Sequence, residues 1–216
     1  EVVILCKIHG CNSRFALING KFYCGSHSVA RSMAFFDAKS WYKHIYHQIQ
    51  SLLLRRPKQY IPPPSIWANI AKEYNLEEKL RNLQGAFEEL KEKNLILFGE
   101  IYGPGIQKLT YGVTKPELRI FDLCVDGMYV SWNEFKKYAE YLTLRVPPVL
   151  KEGPFNKEDI HLAKGTSLLP GANHIREGFV IKPLRERNRP KLGRVILKYI
   201  NDDYLLKNED DEGPAH

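Results

Sequence analysis

Asn19-Gly20 stands between the apolar runs Phe15-Ala16-Leu17-Ile18 and Phe22-Tyr23-Cys24. Two strand-like runs separated by this dipeptide leave the chain one local solution. That solution is a β-hairpin over residues 14–25 with a type I′ turn, because Asn and Gly tolerate the positive φ that both central residues need. The same pattern recurs along the chain. Val2-Val3-Ile4-Leu5 opens it, and Leu95 to Gly103 and Leu118 to Val125 follow. Asp126-Gly127 turns the latter strand back through Met128-Tyr129-Val130, and Glu177–Lys182 and Arg194–Ile200 close the set. Short strands joined by tight reversals predict an α+β class with mainly antiparallel sheets.

Between the first and later strands the period changes. Trp41, Ile45, Ile49, Leu52 and Leu53 recur at helical spacing, which predicts a helix over about 37–54. Pro57 and Pro62-Pro63-Pro64 end it, and Ser65 is placed to cap the next helix. Asn75 with Glu78 three residues on predicts a further helix through about Lys93. Residues 37–93 therefore read as a helical insertion, its basic flank Arg55, Arg56 and Lys58 suited to a nucleic-acid backbone. Ser131 with Glu134 marks a capping box for a helix to about Leu142. Pro147-Pro148 and Gly153-Pro154 read as loops, with a short helix at about 157–164. The domain is expected to span 1–206, followed by a flexible acidic tail at 207–216.

The net charge is +7 although Asn208-Glu209-Asp210-Asp211-Glu212 is acidic, so the body is more basic than the total. That balance favours a polyanionic partner, nucleic acid or nucleotide first. No apolar run approaches the roughly 18–20 residues of a membrane span, and no membrane partner is expected. Four cysteines in 216 residues do not make a disulfide framework, which points to a reducing, intracellular compartment, the cytoplasm first. The irregular spacing of Cys6, His9, Cys11, Cys24 and His27 argues against a structural zinc site. The chain opens inside a strand without methionine, so a preceding segment is expected.

The chemistry is concentrated at strand ends. Lys7 follows the first apolar run and precedes Ile8-His9-Gly10, a turn. A lysine projecting from a buried strand into a cleft loses hydration, and its neutral amine becomes a usable nucleophile. Glu100 and Glu177 sit near the end of one strand and the start of another, and Lys182 and Lys198 close the last two. Two carboxylates and three lysines in one cleft would suit a phosphate–metal substrate, carboxylates holding hydrated Mg²⁺ and ammonium groups neutralising phosphate.

In order, the chain carries Lys7-Ile8-His9-Gly10, Gly99-Glu100-Ile101-Tyr102-Gly103-Pro104-Gly105, Phe121-Asp122-Leu123, Glu177-Gly178-Phe179-Val180-Ile181-Lys182 and Val195-Ile196-Leu197-Lys198. This set resembles the ordered motifs of covalent nucleotidyltransferases, the ATP-dependent ligases and GTP-dependent capping enzymes. Lys7-Ile8-His9-Gly10-Cys11-Asn12 and the Gly99–Gln107 string are similar to nick-sealing RNA ligases. The closing Gly193-Arg194 to Leu205 segment resembles the branch that places an OB-fold domain before the nucleotidyltransferase domain.

The resemblance implies a monomeric ATP-dependent RNA ligase that joins 3′-hydroxyl and 5′-phosphate ends of a nicked RNA duplex through lysyl-AMP, with Mg²⁺ or Mn²⁺. Lys7 would attack the α-phosphate. Glu100 would contact ribose or metal, Phe121 would stack on adenine, and Glu177 would bind the metal. Lys182 and Lys198 would contact the α-phosphate, and His9, Asn12 and His27 would line the nucleotide site. The last motif of the family usually reads Lys-x-Lys; here Ile196 stands in place of its first lysine, with Arg194 the candidate substitute cation. A DNA ligase, a capping enzyme, or a basic RNA-binding module without catalysis are the other readings of the same residues.

Overall fold

The computed structural model describes residues 1–26, 30–32, 65–191 and 193–211. In chain order the strands and helices begin with β1 (Val2–Cys6), β2 (Cys11–Ile18), β3 (Lys21–Gly25), β4 (Ala30–Ser32), α1 (Ile66–Glu73) and α2 (Leu76–Ala86). They continue with β5 (Leu95–Tyr102), β6 (Glu117–Val125), β7 (Met128–Tyr129), α3 (Trp132–Tyr141), β8 (Val149–Gly153) and β9 (Gly178–Pro183). β10 (Asn188–Arg189), β11 (Gly193–Arg194), β12 (Leu197–Ile200) and α4 (Asp202–Asp211) complete the order. The expected α+β class with mainly antiparallel pairing is observed. Two compact units form: one from Asn12–Phe98, the other from Glu1–Cys11 with Gly99–His216.

In the Asn12–Phe98 unit the predicted hairpin is present. β2 and β3 pair from Arg14↔Gly25 to Ile18↔Lys21, and Asn19 and Gly20 take φ of 49° and 73°. β4 adds to β3. α1 buries Ile70 and Ala71, and α2 buries Leu76, Leu80 and Leu83, the spacing of one helix face. Ser65 does precede α1, yet its hydroxyl makes no capping bond. Asn75 bonds the Glu78 carboxylate through its side-chain amide instead of capping a backbone N–H. The helix predicted through Lys93 stops at Ala86: Gly85 weakens the last turn and Phe87 is extended. The helix predicted at 37–54 and the basic flank Arg55, Arg56 and Lys58 lie outside the described residues.

The second unit carries a four-stranded antiparallel sheet of order β12-β9-β1-β8. β8 was not expected, because its Val-Leu-Lys-Glu-Gly sequence lies between proline-marked loops. It is nonetheless a full partner of β1, with Val2↔Gly153 and Ile4↔Lys151. β9 shows why its sequence reads as nearly continuous apolar. Phe179 and Ile181 pack with Ile4, Ala163 and Tyr199 on one face, while Val180 and Lys182 face a cavity on the other. The same unit holds the end of β5, then β6 and β7, joined by an Asp126-Gly127 turn at φ 47° and 86°. α3 starts on the predicted Ser131–Glu134 capping box and buries Trp132, Phe135, Tyr138 and Ala139. The short helix at Lys157–Ala163 is of the 3-10 type.

Two closing expectations change. The strand predicted over 194–200 is broken into β11 and β12, because Ile196 N–H turns back to the Arg194 carbonyl and leaves the ladder. Residues 207–211, expected to belong to a flexible tail, continue α4. Asn201 Oδ1 accepts from the Asp203 N–H, and Asp202 and Asp203 place negative charge at the helix start, where the dipole favours it. Among the described residues no helix is long and apolar enough to cross a membrane.

Gly178 tests the sheet. Its φ is 144°, and an added Cβ would collide with the Tyr199 carbonyl oxygen of β12. Gly178→Ala is expected to cost roughly 2 kcal/mol or more. Thermal denaturation would then show a midpoint lower by about 4–8 °C; an unchanged midpoint would contradict the β9–β12 pairing.

Candidate active site

β1 ends at Cys6, and the next residue leaves the strand with its backbone still tied: Lys7 N–H donates to the Gly178 carbonyl at 3.0 Å. The side chain then reaches the start of β9, where Nζ lies 2.7 Å from Glu177 Oε1. His9 approaches the same oxygen, its Nδ1 at 3.8 Å. Gly10 follows because nothing larger fits: a Cβ there would strike the Ile101 carbonyl oxygen and the Glu100 side chain. The turn Lys7–Gly10 is therefore wedged between β9 and β5.

A cavity of about 190 Å³ lies beside the turn, lined by Leu5, Ile8, Phe121, Val180 and Ile196 among others, with Lys7, Glu100, Asp122 and Lys182 as its charged members. Apolar walls with a few polar groups at one side suit a heterocycle carrying a charged tail. Phe121 is only partly buried in β6, unlike its neighbours Ile120 and Asp122, and presents its ring to the cavity.

The two carboxylates behave differently. Burial raises Glu100 to about 7; Lys7 opposes the shift and Glu177 adds to it. Burial also acts against ionised Glu177, yet His9 and Lys7 prevail and hold it below the usual carboxylate range. Its second oxygen, Oε2, is buried and bonds nothing among the described residues. An ionised, half-satisfied carboxylate beside a second one repelled by it is a fitting seat for a cation. Three or more ligating side chains do not gather among the described residues. A hard divalent ion here would rely on carboxylate, water and substrate phosphate, which is the habit of Mg²⁺.

The lysines separate into two kinds. Lys182 is 2% exposed and bonded to the Asp122 carboxylate and, at 2.9 Å, to the Phe121 carbonyl. Burial draws its ammonium below the ordinary range; Asp122 opposes that. Arg194 grips the same carboxylate with two bonds of 2.7 and 3.0 Å, binds Glu186, and stacks 3.7 Å over the Tyr129 ring. Arg194, the candidate substitute cation, is thus held on Asp122 and Glu186. Ile196 lines the cavity wall. Lys198 is exposed and pairs in register with the cavity residue Val180, so it emerges on the cavity face of the edge strand.

Of the residues singled out in the sequence, Lys7, His9, Glu100, Phe121, Glu177 and Lys182 come together in one unit, with Lys198 on its rim. Asn12 belongs to the other unit, at the start of β2, where its carbonyl accepts from the Trp67 indole at 3.3 Å. His27 lies outside the described residues. Asp122 stands outside the residues singled out in the sequence, although a lone carboxylate amid Ile120, Phe121 and Leu123 signals a buried charge that needs partners. So does Tyr111, which carries no motif signal.

Residues 1–200 match the family described as RNA ligase. The chain belongs to the RNA ligase family. Among solved structures, those of a Naegleria gruberi RNA ligase share the fold. A variant with ATP and Mn gives a TM-score of 0.68 at 18% identity, a variant with AMP and Mn 0.67 at 18%, and the ligase with PPi 0.65 at 20%. Each covers 97% of this chain and 52% of the Naegleria chain, so the present chain spans about half the length of those ligases. At such identity the likeness speaks for the fold. No curated protein matches the sequence.

Glu100 gives a pH prediction. With its pKa raised from 4.5 to about 7, the folded state holds a proton that the unfolded chain has already released, so this group's contribution to stability falls as pH rises across that window. Glu100→Gln removes the effect. Urea unfolding is expected to find the variant more stable than the parent at pH 8 by about 1–2 kcal/mol, with the difference vanishing near pH 4.5.

Proposed function

We propose that this chain is the nucleotidyltransferase domain of an ATP-dependent RNA ligase that joins 3′-hydroxyl and 5′-phosphate RNA ends through a lysyl-AMP intermediate. The observation that carries the reading is Lys7 Nζ, 2.7 Å from Glu177 at the mouth of an apolar cavity, in a chain of the RNA ligase family. The Naegleria ligase structures with ATP, AMP, PPi and Mn support the choice of nucleotide and metal.

Adenine enters the cavity against Phe121, between Leu5, Val180 and Ile196. The Lys7 amine attacks the α-phosphorus, the bond to the bridging oxygen of the β-phosphate breaks, and pyrophosphate leaves with the electron pair. Glu177 orients the amine and is the nearest carboxylate to receive its proton. A divalent ion, when bound by Glu177 and Glu100 with the phosphates, supplies charge neutralisation. Lys198 adds a cation from the rim, while Lys182 lends its charge to the cavity wall from its seat on Asp122. Catalysis of this kind rests on positioning and electrostatics more than on covalent help. AMP then passes to an RNA 5′-phosphate, and a 3′-hydroxyl displaces it. The basic body favours the RNA backbone, and an OB-fold domain preceding this one would extend the grip on a nicked duplex.

Incubation with α-labelled ATP and Mn²⁺ is expected to attach acid-labile, alkali-stable label to the protein, and Lys7→Ala is expected to abolish it. Label that persists in the variant would remove Lys7 from the role of nucleophile. Absence of label with ATP, but not with GTP, would favour a capping-type enzyme. Sealing of a nicked RNA duplex but not of nicked DNA is the companion outcome.

A further inference from the structure

We infer that Tyr111 is a positioning residue for the nucleophile, acting through the backbone of the Lys7–Gly10 turn. The inference rests on the reading of Lys7 given above. Several contacts anchor the turn. Lys7 N–H reaches the Gly178 carbonyl at 3.0 Å, Gly10 is pressed against Ile101, the Gly10 carbonyl accepts from the Gln107 amide at 3.5 Å, and the His9 N–H donates to the Tyr111 hydroxyl at 2.6 Å. The Tyr111 bond is the shortest of these hydrogen bonds, and it spans 102 residues of sequence.

Tyr111 is built to hold that position. It is 1% exposed, and burial keeps its hydroxyl neutral by raising its pKa well above the ordinary tyrosine value. The ring packs edge-on against Tyr102 at 5.3 Å and His174 at 4.6 Å, within a cluster that also holds Ile8 and Leu169. Tyr111 therefore holds the His9 amide from within the same buried cluster that takes up the Ile8 side chain. The backbone beneath it is unusual. Tyr111 takes φ 55°, a left-handed conformation that is strained for a bulky residue. Gly112 follows at φ 70° and lies so close to Gly171 that a Cβ would collide with the Gly171 carbonyl. Two successive left-handed residues are thus wedged against a second loop. Strain of this kind persists only where the surroundings over-determine it, and here its product is a hydroxyl aimed at the backbone two residues beyond Lys7.

Tyr111→Phe keeps the ring and removes the hydroxyl. At saturating ATP the rate of covalent AMP attachment is expected to fall roughly tenfold, because a nucleophile displaced by a fraction of an ångström loses in-line alignment. The KM for ATP is expected to stay within about twofold, since the cavity walls are untouched. Amide hydrogen exchange, measured without nucleotide, is the second readout: the His9 amide should be protected in the parent and exchange at least tenfold faster in the variant, with Val3–Leu5 of β1 unchanged.

An unchanged rate of AMP attachment, or an unchanged His9 exchange rate, would overturn the inference. Should the parent form no adduct with ATP, the reading of Lys7 fails, while the exchange comparison still judges the clamp. Should the variant not fold, the parent alone decides: a His9 amide that exchanges like a free turn amide contradicts the clamp, and a protected one supports it.

Discussion

One buried carboxylate holds the functional unit together. Asp122 lies on β6, is 2% exposed, and is shared by Lys182 of β9 and Arg194 of β11. Two cations could not be buried there without it, and it could not be buried without them. The Trp132 and Phe135 rings, whose centroids lie 5.2 and 5.3 Å from Lys182 Nζ, complete the enclosure from α3. Because Phe121 precedes Asp122, the same contact fixes the aromatic wall of the cavity. Because Ile196 and Lys198 follow Arg194, it also fixes the segment that supplies the opposite wall and the rim cation. The cavity is thus framed by a charge cluster of which Asp122 and Lys182 themselves form part of the wall.

Above this frame the reacting groups are placed by competition between burial and charge. Glu177 is held ionised by Lys7 and His9, while Glu100, a short distance away, is pushed towards neutrality by burial and by the charge of Glu177. Neighbouring carboxylates with opposed tendencies are ready to accept a cation, since a divalent ion relieves the repulsion and the unmet hydrogen-bonding capacity of Glu177 together. The turn that carries Lys7 has little freedom of its own. Gly10 cannot be enlarged, Ile8 is packed, and the His9 amide is bonded, so the position of Lys7 is a property of the surrounding loops as much as of β1.

Local sequence features were legible wherever the physics is local. Asn19-Gly20 and Asp126-Gly127 dictate their turns because few other residues accept positive φ. Ser131 with Glu134 dictates the start of α3 because both cap partners lie within one turn. The placement of Lys7 after β1 and of Glu177 before β9 followed from apolar runs that end in charge. The misreadings have two causes. β8 carries a weak strand signal and exists because β1 offers it an edge. The split of the last strand into β11 and β12 follows from the Ile196 N–H turning back to the Arg194 carbonyl, and the early end of α2 from Gly85 and the extended Phe87, local backbone choices that an apolar pattern does not reveal.

The sequence by itself determined the antiparallel α+β class, the strands that bear Lys182 and Phe121 or border Lys7 and Glu177, and the basic balance that favours a polyanion. Periodicity, turn chemistry and charge are properties of neighbouring residues and need no fold to be read. Only the tertiary structure decided what each charge does. It tied Lys182 and Arg194 to Asp122, gave Ile196 to the cavity wall, left Lys198 on the rim, and brought Tyr111 against the amide of His9. Those assignments depend on distance and on desolvation, and both arise only when strands far apart in the chain are packed together.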